Sequence, residues 1–313
     1  MIFAPTGIGN EIDMFDIATT ADNLKAHVSK LTVDIGERSV AKPWNIEKTA
    51  KYIEEFYQDI GIQTKRDSYI YRKLEVSNII ADVQFNTGDS QVFLVGAHYD
   101  SVAGTVGADD NASAIAVQLE VARILAQHRL TSKIDITVRF VSFALEEPPV
   151  FGTWAMGSRI YARKAKKMQE RIDGMICLEM VGYTCDEPGC QSYPFPLMFL
   201  DYPEAGNFIG IIGNFRSRNF TSSLYHSFRN NSELPVESLT VPMSGYFMPN
   251  IRLSDHASFW DKGYKAVMIT DTAFYRNPYY HRSTDTMGKL DFQFMSQLVK
   301  SLISYFLSRN DME

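Results

Sequence analysis

The sequence predicts an α/β protein with a mostly parallel central sheet. Two observations predict it. Strand-length apolar runs alternate with stretches of helical period along most of the 313 residues. Three of these runs stop abruptly in acid or imidazole, at His98, at Glu146-Glu147 and at Glu179. Parallel strands in an open sheet deliver polar groups to one shared edge in this way.

Taken in order, residues 1–43 read as a polar lead-in with one helix, from Ala21 to Leu31. Asn45 has the chemistry of an N-cap. Ile46, Ala50, Ile53 and Phe56 or Tyr57 follow at helical spacing, and Gly61 is a stop. Residues 62–70 and 76–85 alternate and are β-branched, which suits a hairpin. The strand from Val92 to His98 precedes a glycine-rich loop (Gly104 to Ala108), then Asp109-Asp110-Asn111 and a helix from Ala112 to about Gln127. The run Ile134 to Leu145 is a strand closed by Glu146-Glu147 and stopped by Pro148-Pro149. A helix from about Thr153 to Lys167 leads to the strand Ile172 to Leu178, ending in Glu179. Strands are expected near 197–200 and 208–212, and a helix over Ser222 to Asn230. Residues 232–254 show no clear period. A short strand from Lys265 to Thr270 and an amphipathic helix from Phe292 to Leu307 complete the chain. No repeat or linker divides it, so residues 1–313 are expected to form one domain with the lead-in packed on it.

A formal charge of -6 gives no reason to expect nucleic acid or an anionic membrane as partner, and the apolar fraction of 45% is ordinary for a globular core. No apolar run approaches the roughly 20 residues of a membrane span. The first twenty residues carry Glu11, Asp13 and Asp16 and no apolar signal region. The expected compartment is cytoplasmic as written, or periplasmic or secreted if a signal was removed. Cys185 and Cys190 flank a turn sequence and either close a small disulfide loop or remain two thiols, while Cys177 sits in a strand-like run.

The chemistry gathers at the strand ends. His98, Glu146, Glu147 and Glu179 should converge on one edge of the sheet. Asp110 lies at the mouth of the following helix, and His281 lies in the loop Tyr279 to Thr286. Gathered carboxylates repel one another unless cations neutralise them. Two histidines and three carboxylates suit a pair of zinc ions, since one carboxylate bridges metals about 3.5–4 Å apart. Each feature alone has an ordinary explanation: a packed histidine, a solvated acid pair, an N-cap at Asp109-Asp110-Asn111. Their joint order carries the argument.

The motifs His98-Tyr99-Asp100-Ser101, Gly107-Ala108-Asp109-Asp110-Asn111-Ala112-Ser113-Ala114, Glu146-Glu147, Glu179-Met180, Ser254-Asp255-His256-Ala257-Ser258-Phe259 and Tyr280-His281 resemble the co-catalytic zinc aminopeptidases. This is metallopeptidase family twenty-eight, clan MH, with glutaminyl cyclase as a relative. The resemblance runs from roughly Ile35 to the last helix. It implies a three-layer αβα fold with a central mixed, mostly parallel sheet, as in zinc-dependent exopeptidases. It implies two zinc ions, one held by His98 and Glu179 and one by Glu147 and His281, with Asp110 bridging. Glu146 would be the general base, Asp100 would orient His98, and Tyr280 would polarise the scissile carbonyl. The Asp110-Asn111 peptide is cis in relatives. Glu179 stands where several relatives have Asp. Cys190 stands where Ser is frequent, so the family lends no support to a disulfide. The stretch after Glu147 resembles a bacterial branch with unassigned substrates.

The implied activity is hydrolysis of N-terminal peptide bonds in a peptide or aminoacyl substrate. Glu146 and Glu179 are placed to receive the free amine, and Val241 to Phe247, with Met243, Tyr246 and Met248, are candidates to line an apolar side-chain pocket. The alternatives are a one-zinc glutaminyl cyclase and a carboxypeptidase or dipeptidase of the same fold. A carboxypeptidase would need a cation such as Arg252, Arg276 or Arg282. A binding module that has lost its ligands is a third reading, and no ligand is missing here.

Overall fold

The computed structural model describes residues 15–309 except 87 and 89, so the polar start with Glu11 and Asp13 lies outside the described residues. Helix α1 (Ile17–Ser29) is capped by Asp16, whose carboxylate accepts from the Ala18 amide at 2.9 Å. It widens into a π-helical turn over Lys30–Ile35. Helix α2 spans Pro43–Asp59. Asn45 is not its N-cap: Pro43 begins the helix two residues earlier, as its fixed φ favours. The Asn45 amide instead donates to the Glu37 carbonyl at 2.8 Å.

The expected hairpin is formed by β1 (Thr64–Tyr71) and β2 (Leu74–Gln84), paired antiparallel. Then come β3 (Gln91–His98), α3 (Ala114–His128), β4 (Ile136–Phe143), α4 (Gly157–Lys167), β5 (Gly174–Glu179), β6 (Ile209–Asn214), α5 (Arg218–Phe228), β7 (Val236–Val241), α6 (His256–Trp260), β8 (Ala266–Thr270) and α7 (Phe292–Leu307). The expected strand near 197–200 is a 3-10 turn, Pro196–Leu200, opened by its proline. Strand β7 had no legible period because it is an edge strand, with four of its six residues only half-buried.

All eight strands form one sheet in the order β1-β2-β4-β3-β5-β8-β6-β7. The central run β4-β3-β5-β8 is parallel, β6 is antiparallel to β8, and β7 is parallel to β6. Helices α1, α2, α3, α5 and α7 share one core with one face of the sheet, and α4 and α6 cover the other. The lead-in contributes Leu24, Val28 and Leu31 to the larger core, all fully buried. In α7, Met295, Leu298, Leu302 and Phe306 are likewise buried, each worth roughly 1.5–3 kcal/mol. Gln118 is the polar exception inside α3. Its amide donates to the Val95 and Val141 carbonyls and accepts from Ser142, tying helix to sheet. No helix among the described residues is long and apolar enough to cross a membrane.

Candidate active site

Three neighbouring parallel strands end side by side, and their last residues are the polar ones. His98 closes β3, Glu179 closes β5, and Glu146 and Glu147 follow β4 by a few residues. His98, Asp110, Glu146, Glu147 and Glu179 are all buried, between 1% and 7% exposed. The loop after β3 turns at Gly107, φ 55°, where a Cβ would stand 2.2 Å from the Asp110 carbonyl oxygen. Only glycine fits there. The Asp110-Asn111 peptide is cis. Asn111 anchors the loop to the end of β5, donating to the Leu178 carbonyl at 3.1 Å and accepting from the Met180 amide at 2.9 Å.

Asp110 stands between the two histidines. One carboxylate oxygen lies 3.4 Å from His98 Nε2, and the other lies 3.1 Å from His281 Nε2. His98 Nε2 is also 3.5 Å from Glu179, and His281 Nε2 is 3.3 Å from Glu147. Glu146 approaches His98 at 3.9 Å. Single donor atoms of His98, Asp110 and Glu147 all fall within 4.8 Å of one another. Tyr280 stacks on the His281 ring, centroids 3.8 Å apart.

This donor set fits zinc. Neither ring nitrogen of His98 makes a hydrogen bond, and neither does Glu147 Oε1, although all three atoms are buried. Buried polar atoms are rarely left so unless a ligand takes them. Tetrahedral zinc with bonds of about 2.0–2.1 Å sets its ligand atoms about 3.3 Å apart. The contacts of Asp110 with each histidine, of His98 with Glu179 and of His281 with Glu147 all lie between 3.1 and 3.5 Å.

The electrostatics show the same demand for positive charge. Burial pushes the Glu146 carboxyl well up and Glu147 up to about 8. Burial also opposes a charged His98, but Glu179 and Glu146 outweigh it and its pKa rises well above the imidazole range. His281 rises to about 10, since Asp110 and Glu147 overcome its desolvation. Asp110 is driven below the carboxylate range because the two histidines outweigh its burial.

Asp100 holds the site from beneath. Its two oxygens accept from the Glu146 and Glu147 amides at 2.9 and 3.0 Å, and one lies 3.3 Å from His98 Nδ1. Asp285 does the same for the loop, accepting from the Asp109 and Asp110 amides at 2.9 and 3.2 Å. Ser254 donates to Glu179. Buried Asp255 lies near enough to His98 to feel its charge, and burial raises its carboxyl to about 7. Asp285 and Arg38 had no assigned role in the sequence. Asp285 lay inside the quoted loop, and a carboxylate four residues after His281 was the one available signal.

A cavity of about 100 Å³ opens beside Glu179 and Tyr280, lined by Tyr193, Tyr202, Ile212, Leu239, Met268 and Phe274 among others. The expected pocket residues Met243, Tyr246 and Phe247 do not line it. They are 64–72% exposed on a turn outside it, and Met248 packs into the smaller core. Arg252 is paired with Asp261 at 2.6 Å. Arg276 is buried on Gln191 and the Phe208 carbonyl, and Arg282 is exposed. Cys185 and Cys190 are bonded to each other, and Cys177 is buried.

Fold and site together are those of an α/β protein with a candidate metal centre at the carboxyl ends of its parallel strands. The chain belongs to Peptidase family M28, whose model matches residues 78–306. It is a metallopeptidase of a family that uses zinc. It is 36% identical over 291 residues to the uncharacterized protein YfbL of Escherichia coli (strain K12), covering 90% of this chain and 86% of that one. It is 26% identical over 226 residues to leucine aminopeptidase 1 of Arthroderma otae, covering 69% of this chain but only 54% of that protein. In fold it is similar to the zinc aminopeptidase BSAP of Bacillus subtilis, with a TM-score of 0.67 at 16% identity, covering 91% of this chain and 93% of that one. Fimbriiglobus ruber glutaminyl cyclase is as similar, with a TM-score of 0.66 at 18% identity, covering 94% and 95%.

Proposed function

We propose that this protein is an aminopeptidase that hydrolyses the N-terminal peptide bond of a peptide or aminoacyl substrate with two zinc ions. One observation carries the reading: Asp110 divides its two oxygens between His98 with Glu179 and His281 with Glu147, while Glu146 stands beside them outside both groups. His98 and Glu179 would hold one ion and Glu147 and His281 the other, with Asp110 placed to serve both. When bound, such a pair polarises a carbonyl and brings the pKa of a water toward about 7.

The chain's own groups supply the rest. Glu146 takes a proton from the attacking water and returns it to the leaving amine. Asp100 keeps Glu146 and Glu147 in place through their amides, so two adjacent carboxylates keep separate tasks. The Tyr280 hydroxyl donates to the substrate carbonyl, and Glu146 and Glu179 receive the free amine. A carboxypeptidase reading is left with Arg282 alone of its three candidate cations, because Arg252 and Arg276 already have partners.

The test is a panel of aminoacyl-anilides, N-blocked peptides and glutaminyl peptides, with and without zinc. Zinc-dependent release from free N-termini alone supports the reading. Cyclisation of glutaminyl peptides with one zinc per chain replaces it with the cyclase.

A further inference from the structure

The cavity beside Glu179 has a floor set by strand register. Glu179 of β5 pairs with Thr270 of β8, Thr270 with Gly210 of β6, and Gly210 with Glu237 of β7. Residues in register across a sheet point to the same face. All four line the cavity. Its floor therefore begins at the proposed zinc ligand Glu179 and ends three strands away at a second carboxylate, roughly 14 Å between backbones at about 4.8 Å per strand.

What lies between is small. Thr270 is short, and Gly210 has no side chain to rise from the floor. The next row on the same face, Met268, Ile212 and Leu239, makes an apolar wall, and Tyr193, Tyr202 and Phe274 contribute further lining. The trough thus suits a long methylene stem rather than a bulky ring.

Its far end is charged. Glu237 is half-buried, and its carboxylate has no hydrogen bond or ion pair among the described residues. Burial raises its carboxyl, and the charge of Arg229 works against that rise. An apolar side chain laid along the trough would strip water from this acid and give nothing back. A cation at the end of a long stem would replace that water with a charge-assisted hydrogen bond.

From this geometry we infer that Glu237 is a specificity residue selecting substrates whose N-terminal side chain is long and cationic, lysine or arginine. The inference rests on the aminopeptidase reading for what is cleaved, but not for what the trough binds.

The test compares zinc-loaded wild type with Glu237→Gln and Glu237→Leu in two readouts. The first is kcat/KM on lysyl-, arginyl-, methionyl- and leucyl-anilides. Wild type is expected to favour lysine or arginine over methionine at least tenfold. Glu237→Gln should lower that ratio tenfold or more, and Glu237→Leu should reverse it. The second is calorimetric binding of free lysine, arginine and norleucine, which needs no turnover and should show the same order. A wild-type preference for methionine or leucine, or a ratio unchanged in both variants, overturns the assignment. Cleavage of no anilide together with a lysine-over-norleucine preference that Glu237→Gln abolishes defeats the aminopeptidase reading and leaves the role of Glu237 standing.

Discussion

Arg38 Nη2 donates to the carbonyl of Gly107 at 2.9 Å, joining the lead-in segment to the loop that carries Asp110. The guanidinium is fully buried, and it also donates to the carbonyls of Tyr99, Leu31, Gly36 and Val106. Desolvation lowers its pKa to about 10, with Asp100 and Asp285 opposing, so it stays charged at neutral pH. Removing it strands several carbonyls at once. Arg38→Met should cost at least ~3 kcal/mol in urea unfolding, and Arg38→Lys should recover little, because an ammonium cannot reproduce the planar fork. An Arg38→Met protein as stable as wild type would show that these bonds carry no net stability.

Glu146→Gln should keep two zinc ions per chain and lose about 10²–10⁴-fold in kcat, the usual span for a lost general base. Metal analysis by mass spectrometry beside anilide kinetics separates the two effects. Full turnover in the variant removes Glu146 from proton transfer.

Asp100→Ala frees the amides of Glu146 and Glu147 and withdraws the acid beside His98 Nδ1. Zinc affinity should fall about 10–100-fold, as when an outer partner of a metal-bound histidine is lost. Competition with a chromogenic chelator measures it, and unchanged affinity contradicts the positioning role.

Zinc uptake should release protons at pH 7. His281, raised to about 10 because Asp110 and Glu147 overcome its desolvation, holds a proton there and must lose it to bind metal. Apparent affinity therefore rises with pH through this range. Calorimetry in buffers of different ionisation heat counts the protons released, and a count of zero excludes His281 as a ligand.

His256 sets an acid limit on stability. It is fully buried edge-on to Trp260, and desolvation lowers its pKa to about 3 from the ordinary 6.5. The unfolded chain binds the proton more readily, so this contribution is whole above about pH 6.5 and is lost as pH falls toward 3. The loss amounts to a few kcal/mol. Urea midpoints at pH 7, 6, 5 and 4 should fall more steeply in wild type than in His256→Gln. Parallel curves would mean the histidine titrates alike in both states.

The strand ends were readable because local pattern suffices there. An apolar run that stops at His98, at Glu146-Glu147 or at Glu179 states its own chemistry, and parallel strands bring such ends together. Asn45 misled because N-cap chemistry does not itself locate a helix start, and Pro43 did. The turn at 197–200 was misjudged as a strand and strand β7 was not assigned, both where hydrophobic period is weakest, in a proline-opened turn and on a sheet edge.

The sequence alone determined the α/β class, the order of its principal elements and the five candidate ligands with their neighbour Glu146. The elements follow from local period, and the candidate ligands from short motifs read together in their order along the chain. Only the tertiary structure decided that Arg38 and Asp285 brace the Asp110 loop, that Met243 to Phe247 stand outside the cavity, and that Glu237 ends its floor. Those facts depend on lateral strand order and on contacts between segments far apart in sequence. Period and local spacing do not encode that β6 lies between β8 and β7, and that order is what aligns Glu237 with Glu179.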